Sequence, residues 1–406
     1  MYYDYFNQPG MEGLHIFEFS NSPYASFFYE DSLVFERNKK KIGVVDQFQG
    51  KRPAVLNKDF LVNGKQLQLC FVQTLILDSH VIDGLHRFVS GAGKLDDSAR
   101  LVIIDFLKHV SRMRCDYSPV FYLVENFAKS PIEQFIKKSS EKLCSLLKLH
   151  CMDEEIFIES NRIELKSDAV EYYCSLYKAS DLDGCAVNWV ESFLATGGLG
   201  YYENMIKVSY ACLLKMVLLH FMDPKVNQEN VLRKNDEFET FLCKDLKVLP
   251  ARELNLALYY FSNLAGRFVN VQSNMGFDKA VKNLKATAWD LLLLRLPEFL
   301  LTPSSLPEVN TAYVVTSEEK LLSVGNMFGV ESIYYPDLES KGSPLLSFKT
   351  EVFESIISKE KLGCLWRNRA ELSIKRAREK TATPISDEML DWLIEDLENQ
   401  MRNLCT

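Results

Sequence analysis

The residues best placed to do chemistry in this chain are carboxylates that end or interrupt apolar segments. Asp78 closes the run Phe71-Val-Gln-Thr-Leu-Ile-Leu77, Asp290 stands between Trp289 and four leucines, and Glu318 and Glu319 follow Thr311-Ala-Tyr-Val-Val-Thr316-Ser317. An ordinary surface strand does not end this way. The first run reads as a buried central strand, with Asp78 at its carboxyl end, where ligands bind in open α/β sheets. Three acidic sites on such apolar elements point to a metal, because Mg2+ and Mn2+ take hard oxygen ligands and need only a few carboxylates each. Ions held in this way supply the nucleophile and the charge relief that phosphodiester hydrolysis requires.

Each acid also has a local role open to it. Asp78 is a favoured residue type for capping the helix that follows, and Glu125 fits a solvated helix position. Glu318 and Glu319 fall in a helix first turn, where the macrodipole favours acids. Ser317 is a natural cap there, and it and Thr316 are placed to orient metal-bound water or phosphate. Asp290, if buried, needs a partner, a cation such as Arg295. His80 and His86 form no serine or cysteine constellation with an orienting third group, so a hydrolase triad is not expected.

The elements that must position these residues follow from periodicity. A helix runs from Asp78 to a stop at Gly91-Ala-Gly93, and Gly91-Ala-Gly-Lys94 lacks phosphate-loop spacing. Asp97–Val110 is amphipathic. Ser118-Pro119 opens a helix over Val120–Lys129 that carries Glu125, and Ser130-Pro131-Ile-Glu133 is a capping box for a helix to about Leu149. Helical spacing then continues to about Phe277. Pro297 is expected to kink the helix that bears Asp290. The first 66 residues read as a small β region or arm, with Asn63-Gly64 as a turn leading into, and pairing it beside, the central strand.

The series Ile76-Leu-Asp78-Ser-His-Val-Ile-Asp83, Val124-Glu125, Ala288-Trp-Asp290-Leu-Leu and Val314-Val-Thr316-Ser-Glu318 resembles the PIN-like nuclease superfamily. The resemblance covers residues 67–130 and 276–337. It implies an α/β fold with a PIN-like parallel sheet flanked by helices, and an endoribonuclease of the toxin or defence type. It also implies Asp78, Glu125, Asp290 and Glu318 as catalytic ligands of Mg2+ or Mn2+, with Asp83 as an outer alternative. Residues 131–275 are a large all-helical insertion that a compact member of the family lacks, expected to fold as its own lobe and to mediate self-association or a protein partner. Residues 338–406 form a helical C-terminal tail.

At a net charge of −8 the surface is not basic overall, so an RNA substrate needs a local patch. The helix from Trp366 to Lys380 offers one, with six basic residues against two acidic, and Arg367, Arg369, Lys375, Arg376 and Arg378 are the candidate phosphate contacts. Ten cysteines without C-x-x-C or cysteine–histidine spacing argue against structural zinc and read mostly as reduced core thiols. No apolar run of the ~18 residues a spanning helix needs is evident, and the aromatic, polar start carries no secretory pattern, so no membrane and a cytoplasmic location are expected. The rivals to an RNA nuclease are a non-catalytic scaffold with a degenerate nuclease fold and a structure-specific DNA nuclease.

Overall fold

The structure, a computed structural model, describes residues 33–48, 54–57, 70–91, 93, 95–113, 115–301, 308–325, 327–335, 343–347, 349–379 and 385–404. They divide into two compact units, one from the described residues within 33–202 and 293–345, the other from those within 203–292 and 346–404.

The first unit is a mixed α/β body around a five-stranded sheet. Its strands are β1 (Leu33–Arg37), β2 (Lys40–Val45), β4 (Cys70–Leu77), β5 (Asp116–Ser118) and β6 (Glu308–Thr316), in the order β1-β2-β6-β4-β5, while β3 (Ala54–Asn57) lies in a second sheet. As expected, the run ending at Asp78 is the central strand. It pairs in parallel with β6 from Cys70↔Glu308 to Leu77↔Val315, and with β5 from Thr74↔Asp116 to Ile76↔Ser118. Successive residues Leu75, Ile76 and Leu77 are all buried, which is why the segment is apolar without alternation.

The N-terminal strands differ from expectation. They form a hairpin, turning through Asn38 and Lys39 at positive φ, whose strand β2 joins the main sheet antiparallel to β6, not beside the central strand. Both edges of β4 are already taken by β5 and β6, so no register there is open. β3 pairs in parallel with β7 (Gly329–Tyr335), and β8 (Ser343–Ser347) extends that three-stranded sheet, placing a strand where the tail was expected to be helical. The turn at Asn63-Gly64 lies outside the described residues.

Helices α1 (Ser79–Ser90) and α2 (Asp97–Met113) follow β4, and α3 (Val120–Lys129) follows β5. Gly91 ends α1 at φ 68, a left-handed conformation open to glycine. Then come α4 (Ile132–His150), α5 (Glu154–Ser160), α6 (Ser167–Tyr177) and α7 (Leu182–Ala195). The capping box at Ser130 does not form: Pro131 holds the cap position of α4, with no side-chain cap bond. Helix α4 packs on both α1 and α7, burying Phe135, Leu143, Leu146 and Leu147. The expected insertion is therefore not one lobe, because the apolar face of α4 is closed by the helix that carries Asp78's neighbours.

The second unit is helical. It contains most of α8 (Gly200–Met222) and α11 (Phe277–Phe299), together with α9 (Gln228–Lys244) and α10 (Ala251–Phe261). Helix α8 is long and apolar enough to cross a membrane by length and composition, although no such run was expected. Ten of its residues between Ser209 and Leu219 are buried, the pattern of a core helix. Pro297 is accommodated inside α11. Helix α12 (Glu319–Gly325) belongs to the sheet unit, and α13 (Lys359–Glu379) and α14 (Asp387–Arg402) to the helical one. Ser386 caps α14, its hydroxyl accepting from the Met389 backbone N–H.

Helix α12 lies close against β2, where Gly325 faces Val45 and Leu322 faces Gly43. A Cβ at Gly325 would overlap Val45 Cγ1, and Val45 is fully buried. Gly325→Ala is therefore expected to cost about 1–3 kcal/mol, as overpacking does, measured by urea unfolding. Unchanged stability would mean that α12 does not sit on β2 in this way.

Candidate functional site

The chain leaves β4 through α1 and α2 to reach β5 on one side, and β6 arrives later on the other. Strand order thus reverses at the β4–β6 pair, and the crevice at the carboxyl ends of such a pair is where open α/β sheets bind ligands. Asp78 and Thr316 stand there. The Asp78 backbone N–H donates to Val315 O at 2.9 Å, extending the ladder by one bond. The Thr316 hydroxyl donates to Asp78 Oδ2 at 2.7 Å while its oxygen accepts from the Glu318 N–H at 3.0 Å. Asp78 does sit at the cap position of α1, but its side chain makes no cap bond. Its carboxylate is spent on Thr316, so the local capping role does not account for it. Ser317 is likewise not the anchor of the turn; Thr316 is.

Two further expected acids belong to the same edge. Glu125, on the helix after β5, accepts from the Ser79 hydroxyl and pairs with Lys129 Nζ at 2.6 Å. Glu318 faces His80 Nε2 at 3.7 Å and Lys320 Nζ at 3.1 Å. Their charges reach Asp78, which is only 4 % exposed. Burial pushes its carboxyl above the ordinary range, the Thr316 hydrogen bond and His80 pull it back, and Glu318 and Glu125 push it up again, for a net rise. Asp83 is paired with Lys142 of α4. Asp290, 9 % exposed on α11, belongs to the helical unit.

Hard carboxylate oxygens are the right chemistry for Mg2+ or Mn2+. Their placement is not. Both Glu125 oxygens are engaged by Ser79 and Lys129, the two Glu318 oxygens face His80 and Lys320, and Asp78 Oδ2 accepts the Thr316 hydroxyl. Among the described residues no three His, Cys, Asp or Glu side chains gather as a group that could hold a metal ion. As these side chains stand, they do not fit a divalent cation.

The basic helix also differs from expectation. Arg369 is 6 % exposed, donates to Glu239 and Asn235 at 2.6 Å each, and lies 4.9 Å over the Trp366 ring. Burial lowers its pKa against the opposing pull of Glu239. Its guanidinium is spent on Glu239, Asn235 and the half-buried Trp366 ring. Arg367 and Lys375 are exposed, and the Arg376 and Arg378 side chains lie outside the described residues. No family model, curated protein or solved structure matches the chain.

Sequence reasoning missed Ser79, Lys129 and Lys320, although the Glu125–Lys129 spacing of four on a helix was a usable signal. Thr316 was noticed, but not as the partner of Asp78.

The Asp78 carboxyl, raised in the folded state, binds its proton more tightly there than in the unfolded chain. Stability therefore falls as pH rises from the ordinary carboxylate range through the folded value, and stays lowered above it. Asp78→Asn keeps an oxygen to accept from Thr316 and removes the charge. In chelator, its melting temperature should exceed wild type at pH 7, with the gain vanishing toward pH 3.8. A lower melting temperature at pH 7 would contradict the electrostatics described. Arg369→Ala removes the buried partner of the half-buried Glu239 and should cost clearly more in denaturant unfolding than the about 1 kcal/mol of exposed pairs; a smaller loss would place Arg369 at the surface.

Proposed function

We propose that the sheet edge around Asp78 is the reaction centre of a nuclease that cleaves RNA phosphodiester bonds internally. The observation that carries this reading is the placement of Asp78, Glu125 and Glu318 along one sheet edge, near enough for the two glutamates to raise the Asp78 pKa, in three of the four segments in which the PIN-like resemblance has acids. In the arrangement seen, Asp78 is the group able to hold or move a proton, because burial and two neighbouring carboxylates favour its protonated form. Thr316 fixes its orientation. Lys129 and Lys320, each ion-paired to one of the flanking acids, set positive charge beside carboxylates that would otherwise repel a phosphate. No step here is assigned to a divalent ion.

A second reading has its own support. Because each flanking acid is satisfied by protein donors and no metal-binding group is gathered among the described residues, the fold also suits a non-catalytic interaction protein.

Purified chain incubated with total RNA, and separately with single- and double-stranded DNA, in Mn2+, Mg2+ or chelator, separates these readings. The nuclease reading expects RNA cleavage that drops by about 10²–10⁴-fold in Asp78→Asn, the span typical of a lost acid–base group. Cleavage undiminished in that variant would remove Asp78 from the centre. Cutting of DNA alone would change the substrate class, and no cutting of either by wild type would leave the interaction reading.

A further inference from the structure

Helix α6 is unusual in this fold because none of its residues is buried. Tyr172 and Leu176 are 61 % and 54 % exposed. What holds the helix is one narrow seam. The Tyr177 ring stacks on Trp189 of α7 at 5.4 Å, the Tyr173 ring lies 5.7 Å from His150, and Asn188 Nδ2 donates to the Tyr177 carbonyl at 2.8 Å. In the middle of that seam, Cys174 Sγ on α6 lies 3.9 Å from Cys185 Sγ on α7. Cys174 is half-buried and Cys185 fully buried.

We propose that Cys174 and Cys185 are a modification site, a dithiol that peroxides oxidise to a reversible disulfide clamping α6 onto α7. The aromatic stacks already fix the register of the two helices, so the sulfurs need to close by only about 2 Å to reach bonding distance. Few buried contacts hold α6, so a covalent tie there changes its opening more than one placed in the core would. The two thiols have different parts. Cys174, the more accessible, attacks a peroxide oxygen as the thiolate; the O–O bond breaks, and a sulfenic acid forms with release of hydroxide. Cys185 Sγ then attacks the sulfenic sulfur, the S–O bond breaks, and the S–S bond forms with loss of water. Two thiols lose two electrons and two protons, and the peroxide is reduced to two waters. Burial pushes the Cys185 thiol up to about 11, so it does not react first, and its place 3.9 Å from Cys174 Sγ is what lets it resolve a sulfenic acid there. Cys151, fully buried and close enough for the other two thiols to raise its own pKa, is the competing partner.

The test treats the full chain with hydrogen peroxide, alkylates remaining thiols, and maps peptides by mass spectrometry, with hydrogen exchange followed across residues 161–195. The expected result is a Cys174–Cys185 cross-link that dithiothreitol reverses, and amide exchange in α6 slowed at least tenfold. Cys174→Ser should abolish both changes, and Cys185→Ser should leave Cys174 as a sulfenic acid trapped by dimedone. The proposal is overturned if Cys174 remains fully alkylated while the exposed Cys364 is oxidised, if Cys174 links to Cys151 or to a second chain, or if the cross-link forms and α6 exchanges no more slowly.

Discussion

The hydrogen bond from Thr316 to Asp78 Oδ2 is the constraint on which the rest of this sheet edge depends. It joins residues 238 positions apart, at the point where β4 and β6 finish, and it does so with a hydroxyl that also accepts the Glu318 N–H. One side chain thereby fixes three things: the end of the parallel pairing, the orientation of a buried carboxylate, and the turn into α12. A buried carboxylate without such a donor would be costly in so apolar a setting. With it, Asp78 stays in place although burial and the charges of Glu125 and Glu318 work against its ionisation.

The surrounding packing serves that point. The residues preceding Asp78 and Thr316 are buried on both faces of the sheet, so the carboxyl edge has a rigid foundation. Helix α1 starts directly from Asp78, and its packing on α4 ties the sheet to the helical segment that the sequence marked as a separate lobe. The acids at the edge come from α3 and from the turn before α12, and each is balanced by a cation from its own helix or turn: Lys129 four residues on, Lys320 two residues on. The ionisation of Asp78 is opposed by its burial, which supports assigning it the proton.

Much of this was legible in the sequence. An unbroken apolar run ending on one carboxylate gave the central strand and the position of Asp78; Gly91 announced a helix end, as φ 68 bears out. The parts that were not legible share a physical cause, namely that they depend on partners distant in sequence. The hairpin β1–β2 has the composition of an edge element, and nothing local says that its neighbour is β6. Arg369 sits in a basic run, and only the fold shows that its guanidinium is claimed by Glu239, 130 residues away. Ser130-Pro131-Ile-Glu133 had the letters of a capping box, but the chain enters α4 with Pro131 in the cap position, where no side chain can accept. Spacing can nominate acids for a metal; whether their oxygens face one another or face lysines is decided by rotamers that the sequence does not show.

The central claim is that Asp78 is a buried carboxyl coupled to Glu125 and Glu318 and held by Thr316. Its most direct measurement is a carbon-13 NMR titration of the Asp78 carboxyl in wild type and in single variants. The account predicts a midpoint above the ordinary 3.8, moved further up in Thr316→Val, which loses the hydrogen bond, and moved down in Glu125→Gln and in Glu318→Gln, which each remove a like charge. A midpoint at or below 3.8, or one indifferent to both glutamate substitutions, would contradict it.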